Sequence, residues 1–358
     1  MQRDEKYMQR CLDLAVLGAG TVSPNPMVGA VIVYKDKIMG EGYTSPYGGA
    51  HAEVNAVQQV IERFGEASAL QIFTESTIYV SLEPCAHQGK TPPCADMLVR
   101  YKFKAVVIGC QDPFGQVNGA GIKKLSTAGI QVSVGVLADA CRFINRRFFT
   151  RIKEQRPYVI LKWAETQDGY FAPADARKQW ISNQASTQLV HKWRSEEDAI
   201  LVGTQTALID NPSLTTRLWH GKNPKRMLID KDLKVPADAA IFNADAETIV
   251  FNAHRSDWQV HKKLIMLENF DLYLPQNILY QLYLMDVQSL IVEGGAKTLQ
   301  AFIDAEVWDE ARVFVSPKIW EQGLAAPQLA AYQYTMEKVG DNQLKTYLKN
   351  NLPNIGPI

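Results

Sequence analysis

Apolar positions in the first 150 residues switch between helical and strand spacing. They recur at helical intervals from Tyr7 to Val16, and two apolar runs, 28–34 and 38–43, flank a short polar segment that indicates a hairpin. Further helices are predicted at 53–64, 95–101, 121–128 and 138–150, and further strands at 77–82, 105–109 and 130–135. Two strands followed by repeated helix–strand alternation predict a central sheet covered by helices.

A basic stretch at 146–156 ends at Pro157, and the alternation of strands and helices then resumes. We interpret the basic stretch as a solvated linker or helix face rather than as a nucleic-acid-binding segment. Strands are predicted at 158–163, 199–203, 226–229, 248–252, 289–293 and 311–315. The pattern therefore predicts two α/β domains, residues 1–150 and 151–358, and it predicts little beyond about residue 326.

Composition and charge fit this division. A chain of 358 residues is long enough for about two domains, and 46% hydrophobic with 21% charged residues is ordinary for a soluble globular protein. Lys plus Arg equal Asp plus Glu at 38 each, so the balance indicates neither nucleic acid nor a membrane as partner. We find no signal-peptide-like start and no long apolar run, and five cysteines do not suggest a disulfide framework. We expect a cytoplasmic protein and leave its assembly open between a monomer and a homo-oligomer.

Four residues in the first domain carry metal and proton-transfer chemistry: His51, Glu53, Cys85 and Cys94. Residues two apart point to opposite sides of a regular helix, so His51 and Glu53 can converge only at a helix start. Cys85 falls in the loop at the carboxyl end of a predicted strand, where sites in α/β sheets usually lie. Cys94 opens the next predicted helix, whose N-terminus favours the thiolate that binds metal.

The number of donors points to a catalytic zinc site. A structural zinc normally has four protein ligands, whereas a catalytic zinc has three and a water whose pKa falls to about 7. Glu53 is then free to carry protons as the catalytic acid–base residue. Two alternatives remain open from the residues alone: buried free thiols beside a core histidine, or a closed structural site in which His87 is the fourth ligand.

The motifs resemble a known family. The signature H-x-E…P-C-x-x-C is typical of zinc deaminases, and here eight residues rather than two separate the cysteines. With that long spacer, PCAHQGKTPPC, and with SPNPMVGAVIV near the start, residues 1 to about 150 resemble the deaminase half of the bifunctional riboflavin-biosynthesis deaminase/reductase family. The resemblance implies a cytidine deaminase-like three-layer α/β/α domain. It implies that His51, Cys85 and Cys94 bind Zn²⁺, that Glu53 is the proton shuttle and that Asn25 contacts the pyrimidine.

Two segments of the second domain could meet an anion. The segment LIVEGGAKTL (290–299) is a strand, a glycine pair and a helix start, which fits a phosphate-binding turn or an ordinary tight turn. The segment NPSLTTR (211–217) places Arg217 either at an anion or on a surface loop.

The second half also resembles its counterpart in the same family. LKWAETQDG, QWIS, AILVGTQTALIDNPSLTTR and LIVEGG occur in the order found in the reductase half, which implies a dihydrofolate reductase-like α/β domain that uses NADPH. By resemblance, the cofactor-binding residues are Ala164, Trp180, Thr206, Asp210, Gly295, Ala296, Lys297, Thr298 and Leu299. The substrate-binding residues are Lys162, Lys178, Arg194, Leu214, Arg217 and Glu293. Lys178 departs from the small hydroxyl residue usual in relatives, and 319–323 departs from their glycine-rich turn.

The function implied by the resemblance is bifunctional riboflavin biosynthesis. A zinc-dependent hydrolytic deamination of 2,5-diamino-6-(5-phosphoribosylamino)pyrimidin-4-one would precede an NADPH-dependent reduction of the ribosyl group to ribityl. Two rival functions are a nucleic-acid base deaminase and a non-catalytic zinc protein with a vestigial cofactor site. The first rival predicts a basic stripe and usually a two-residue cysteine spacer, and neither is evident here.

Overall fold

The computed structural model describes residues 3–86, 92–115, 118–174, 181, 183–330 and 332–349. These residues form two compact units, and the division along the chain falls between Glu154 and Gln155. Within the described ranges, no helix combines the length and the apolar character needed to cross a bilayer.

The first unit is a five-stranded sheet with helices packed against it. The helices are α1 (Arg3–Ala15), α2 (Ala52–Phe64), α3 (Glu66–Glu75), α4 (Cys94–Arg100), α5 (Ala120–Thr127), α6 (Ala138–Ile144) and α7 (Arg146–Glu154). The strands are β1 (Gly29–Tyr34), β2 (Lys37–Tyr43), β3 (Thr77–Leu82), β4 (Ala105–Cys110) and β5 (Gln131–Val134). In the sheet order β2-β1-β3-β4-β5, the strands pair antiparallel on both sides of β1 and parallel from β3 to β5.

Two helical features of this unit differ from the prediction. The helix predicted at 138–150 is divided at Asn145, whose side-chain oxygen accepts from the Met27 N–H at 2.8 Å and whose amide donates to the Met27 carbonyl at 2.9 Å. Helix α3 was not predicted. It follows Gly65, whose φ of +77° separates it from α2, and it contributes Phe73 to the core.

The second unit contains a ten-stranded sheet and a separate two-stranded sheet. The helices are α8 (Gln184–Glu196), α9 (Thr204–Asp210), α10 (Leu274–Leu284) and α11 (Ala296–Asp304). The strands are β6 (Tyr158–Thr166), β7 (Tyr170–Pro173), β8 (Ala199–Gly203), β9 (Lys225–Ile229), β10 (Thr248–Asn252), β11 (Asp257–Trp258), β12 (Lys262–Met266), β13 (Ser289–Val292), β14 (Glu310–Ser316), β15 (Gly323–Ala325), β16 (Tyr334–Val339) and β17 (Asn342–Leu348).

The large sheet has the order β11-β12-β10-β9-β8-β13-β6-β14-β17-β16. Its strands are parallel from β12 to β14 and antiparallel at the two ends. All six predicted strands lie in the parallel part. The strands that were not predicted are the parallel strand β12, the antiparallel strands β11, β17 and β16, and the separate β7–β15 pair. Parallel strands are buried on both faces and read as continuous apolar runs, whereas edge strands such as β16 are largely exposed.

Gly40 in β2 packs closely against the backbone of α2. A Cβ at Gly40 would lie 2.4 Å from the Ala56 carbonyl oxygen, so we expect Gly40→Ala to force the strand and helix apart. Such overpacking typically costs about 1–3 kcal/mol, which would lower the unfolding midpoint measured by circular dichroism. Gly115→Ala is the control, because a Cβ there meets nothing within 4 Å. Equal midpoints for the two variants would contradict the packing argument.

Candidate active sites

The start of α2 brings an imidazole and a carboxyl group to one place. His51 has extended backbone angles (φ −73°, ψ 161°) and precedes the first helical residue, Ala52. Glu53 lies in the first turn and is only 4% exposed. The prediction that these two residues stand at a helix start is confirmed.

The two cysteines come from the end of β3 and the start of α4. Cys85 follows β3 after Glu83 and Pro84, and Cys94 is the first residue of α4, as predicted. The backbone N–H of Cys94 donates to the Cys85 Sγ at 3.2 Å. A hydrogen bond from the Cys94 thiol lowers the pKa of Cys85, and the His51 imidazole and the Cys94 N–H add to this effect.

The three donor atoms fit the geometry of zinc. The His51 Nδ1 lies 3.7 Å from the Cys85 Sγ and 3.3 Å from the Cys94 Sγ, and all three donor atoms lie within 4.8 Å of one another. Tetrahedral bonds of about 2.3 Å to sulfur and about 2.0 Å to nitrogen place neighbouring ligand atoms about 3.6 Å apart. One imidazole and two thiols at these separations can therefore hold a zinc ion with a coordination position left for water. His87, considered above as a fourth ligand, lies outside the described residues.

Glu53 stands beside this donor set. Burial and, to a smaller extent, the neighbouring Cys85 thiolate raise the pKa of the Glu53 carboxyl to about 7, against the opposing effect of His51. A carboxyl group with a pKa near neutrality can both accept and release a proton at neutral pH. This is the property that a general acid–base residue needs.

Asn25 lies in a loop that hydrogen bonds hold in place, both at Asn25 itself and two residues later at Met27. Its backbone N–H donates to the Val22 carbonyl at 2.9 Å, and two residues later Met27 makes the paired hydrogen bonds with Asn145 described above. Asn145 is 2% exposed, so this pairing is protected from water. Sequence reasoning did not identify Asn145, because its partner is 118 residues away in the chain.

In the second unit, neighbouring parallel strands bring half-buried charged side chains together in an ion cluster. Val292 of β13 pairs with Leu161 of β6, which places Glu293 beside Lys162, with 3.8 Å between the Lys162 Nζ and a Glu293 oxygen. Arg194 of α8 donates to both Glu293 oxygens, at 3.2 and 2.8 Å. Burial alone would raise the pKa of Glu293, but Arg194 and Lys162 outweigh burial and hold the pKa at about 2.

Helix α8 also holds the 211–217 loop. The Arg194 Nη1 donates to the Thr215 carbonyl at 3.4 Å, and the His191 Nδ1 accepts from the Arg217 N–H at 3.0 Å. Burial, together with the charges of Arg194 and Arg217, lowers the pKa of His191 to about 4. His191 is thus neutral and an acceptor at Nδ1. It was not predicted, although it precedes Arg194 by one helical turn.

The two predicted substrate residues of the 211–217 loop differ in exposure. Leu214 has a positive φ of +54° and is 3% exposed, whereas the Arg217 side chain is exposed and donates to Thr215 Oγ1 at 3.2 Å. Arg217 lines a polar cavity of about 540 Å³ together with Ser213, Thr215, Thr216, Asn223, Asn243 and Asp245. Of the two interpretations of this segment, the cavity favours a ligand-facing loop.

Two glycines at the ends of β8 and β13 pack closely against neighbouring atoms. A Cβ at Gly294 would lie 2.5 Å from the Val202 Cα, and a Cβ at Gly203 would lie 2.6 Å from the Thr298 Oγ1. Gly295 has a φ of +27°, and its N–H donates to the Thr206 Oγ1 at 2.8 Å. This turn exposes backbone at the N-terminus of α11, an arrangement suited to binding a phosphate group.

The other predicted residues of this half are placed as follows. Ala296, Lys297 and Thr298 form the first turn of α11, whereas the Leu299 side chain is fully buried and its N–H donates to the Gly295 carbonyl. Ala164 is half-buried in β6 and Asp210 ends α9. Lys178 and Trp180 lie outside the described residues. In the 319–323 segment, the N–H groups of Trp320 and Glu321 donate to the Asp168 carboxylate.

Family models match both halves of the chain. Residues 1–110 match the cytidine and deoxycytidylate deaminase zinc-binding region, and residues 157–329 match the RibD C-terminal domain.

Curated relatives and solved structures match along nearly the whole chain. The riboflavin biosynthesis protein RibD of Aquifex aeolicus is 39% identical over 91% of this chain and 90% of its own length. The protein of the same name from Escherichia coli K12 is 34% identical over 88% of each chain. The crystal structure of a diaminohydroxyphosphoribosylaminopyrimidine deaminase/5-amino-6-(5-phosphoribosylamino)uracil reductase from Thermotoga maritima is 34% identical, with a TM-score of 0.87 over 97% of this chain and 98% of that one.

The ion cluster around Glu293 predicts a pH-dependent stability difference. We expect Glu293→Gln to destabilise the second unit by about 3–5 kcal/mol at neutral pH, because Arg194 and Lys162 lose their counter-charge. The folded-state pKa of about 2 lies below the unfolded value of about 4.3, so the contribution of Glu293 is complete above that value and is lost as the pH falls towards 2. The stability difference between wild type and variant should therefore shrink by roughly 3 kcal/mol from pH 5 to pH 2.

Tryptophan fluorescence during urea unfolding measures this difference, since all seven tryptophans follow residue 154. Glu268→Gln, at an exposed carboxylate, is the control. A difference for Glu293→Gln that stays constant with pH would contradict the assigned pKa.

Proposed function

The chain belongs to the RibD family of riboflavin biosynthesis proteins, and from that premise we propose which of its residues carry out the two reactions. It is a bifunctional enzyme that combines a zinc-dependent deaminase with an NADPH-dependent reductase. We assign deamination to the first unit and reduction to the second, with the boundary between Glu154 and Gln155. When bound, zinc supplies an activated water molecule and NADPH supplies a hydride.

For the first reaction we assign His51, Cys85 and Cys94 to zinc and Glu53 to proton transfer. The observation that carries this assignment is the convergence of the three donor atoms within 4.8 Å beside the buried Glu53. Glu53 would take the proton of the attacking water and deliver it to the departing amine. The water oxygen would bond to the amine-bearing ring carbon, the bond from that carbon to the amine would break to release ammonia, and the second water proton would end on the ring nitrogen beside the new carbonyl group. Asn25 would contact the pyrimidine from its fixed loop.

The substrate we propose is 2,5-diamino-6-(5-phosphoribosylamino)pyrimidin-4-one, in keeping with the name of the Thermotoga maritima protein. Its phosphate would bind at the exposed Arg217 in the second unit, which supplies the positive charge of the polar cavity. Lys162, Glu293 and Arg194 would orient the ribosyl group. Leu214 and Lys178 complete the proposed substrate residues. Addition of a hydride at C1′ and of a proton at the ring oxygen would break the C1′–O bond and open the sugar to a ribityl chain.

For the cofactor, we propose that the pyrophosphate of NADPH binds at the turn before α11. The close packing of Gly294 and the hydrogen bond from Gly295 to Thr206 support this assignment. Leu299 would contribute only by completing the first helical turn, because its side chain is in the core. The remaining proposed cofactor residues are Ala164, Trp180, Asp210, Ala296, Lys297 and Thr298.

We place the enzyme in the cytoplasm. All five of its cysteines are free thiols, and Cys85 and Cys94 must remain reduced to bind a metal. A reducing compartment supplies that condition.

Glu53→Gln tests the proposed proton shuttle. We expect ammonia release to fall about 10²–10⁴-fold, because the amide cannot carry the proton between water and amine. Zinc content should be unchanged, since Glu53 is not a proposed ligand. NADPH oxidation on the deaminated substrate should also be unchanged, because it occurs in the second unit. Ammonia, NADPH absorbance and protein-bound zinc are measured on the same preparation.

Glu62→Gln is the matched control for that variant, because Glu62 is exposed on the same helix. It should leave all three measurements at the wild-type value. Normal ammonia release by Glu53→Gln would exclude the assigned role.

Gly294→Ala tests the proposed cofactor turn. The added Cβ would press on backbone atoms of Val202 and Gly203, so the ends of β8 and β13 must separate. We expect the dissociation constant for NADPH to rise about tenfold or more, measured by fluorescence titration, while ammonia release is unchanged. Gly203→Ala should have a smaller effect, because its Cβ meets the hydroxyl of Thr298 rather than backbone. NADPH affinity that is unchanged in Gly294→Ala would contradict the assignment.

A further inference from the structure

Glu83 is a buried carboxylate two residues before the Cys85 ligand. It follows the last residue of β3 and is only 3% exposed. Its Oε1 accepts from the backbone N–H groups of Gly121 and Ile122 at 3.0 and 3.2 Å. Its Oε2 accepts from those of Gly119 and Asp112 at 3.0 and 3.3 Å. One side chain therefore joins the end of β3 to the segment between β4 and α5.

The negative charge of Glu83 is balanced by backbone groups. No lysine or arginine among the described residues forms an ion pair with it, and three of its four donors belong to the N-terminal end of α5 and the residue before it. Backbone N–H groups at a helix N-terminus stabilise a carboxylate by direct donation and by the helix dipole. Because four donors with fixed positions contact two oxygens, the side chain has little freedom to move.

The connection from Glu83 to the metal site is short and rigid. Pro84 restricts the backbone between Glu83 and Cys85. A Cβ at Gly121 would lie 2.2 Å from the Pro84 carbonyl oxygen, so the start of α5 packs directly on this residue. On its other side, the Cys85 carbonyl accepts from the Ala95 N–H at 3.1 Å. The position of the Cys85 thiol thus depends on a backbone that Glu83 fixes.

We propose that Glu83 is a positioning residue for zinc binding, which holds Cys85 at the correct distance from His51 and Cys94. The inference rests on the proposed role of those three residues as zinc ligands. Glu83 does not touch the donor atoms itself. Residues that orient metal ligands in this way typically contribute about 10–100-fold to metal affinity.

The test compares variants of the full-length protein by competition for zinc with a chromophoric chelator. Glu83→Gln keeps the shape of the side chain but replaces one acceptor oxygen with an NH₂ group that faces N–H donors. We expect zinc affinity to fall about 10–100-fold and ammonia release to fall at limiting zinc. NADPH oxidation on the deaminated substrate should be unchanged. Glu83→Ala should weaken zinc binding at least as much.

Two controls separate positioning from general stability. Phe73→Leu perturbs the core of the same unit at α3, a helix that carries none of the proposed zinc ligands, and Glu62→Gln removes an exposed carboxylate. Melting curves by circular dichroism give each variant's midpoint, and zinc titrations are run well below it. A loss of affinity in the Glu83 variants alone supports the proposal.

Three results would overturn it. Glu83→Gln or folded Glu83→Ala could keep the wild-type zinc affinity. Phe73→Leu, destabilised to the same extent, could lose as much affinity as Glu83→Gln. A wild-type protein that binds no zinc would remove the proposed deaminase site and this inference with it, whereas the first two results leave that site standing.

Discussion

Parallel pairing of neighbouring strands is the constraint on which both sites depend. In the second unit, the register that pairs Val292 with both Leu161 and Leu201 puts Glu293 beside Lys162 and Gly294 against Val202. In the first unit, β3 lies parallel to β4, so the residues that follow each strand meet at one edge. A shift of one residue would turn the side chains to the opposite face of the sheet. The sheets therefore fix distances that loops alone could not hold.

The parts of both sites that are local in the chain could be predicted from the sequence. The helix start at His51 and the helix that opens at Cys94 follow from spacing and from the residues before each helix. Asn145 and His191 could not be found in this way, because Met27 and Arg217 meet them only in the folded chain. The helix predicted at 138–150 was wrong at Asn145 for that reason.

The strands at the end of the large sheet could not be predicted for a different reason. The hairpin of β16 and β17 lies at the end of the large sheet, and β16 buries none of its residues fully. An edge strand needs no continuous apolar run, so its sequence resembles that of a loop. The central strands, which are buried on both faces, were all predicted.

Glu53 and Glu293 show how surroundings assign chemistry to the same side chain. Glu53 has no arginine or lysine partner among the described residues, and burial brings its pKa to about 7. Glu293 is half-buried, and two cations hold its pKa at about 2. The first carboxyl can exchange protons near neutral pH, while the second is a permanent anion that can orient a ligand.

Of the five cysteines, Cys85 alone is partly exposed, and the other four are buried. An alkylating reagent added to the folded protein would accordingly react first at a single sulfur, the one proposed to ligate the metal. Covalent labelling read by mass spectrometry would then report metal occupancy in each molecule, without a substrate and without an added reporter group.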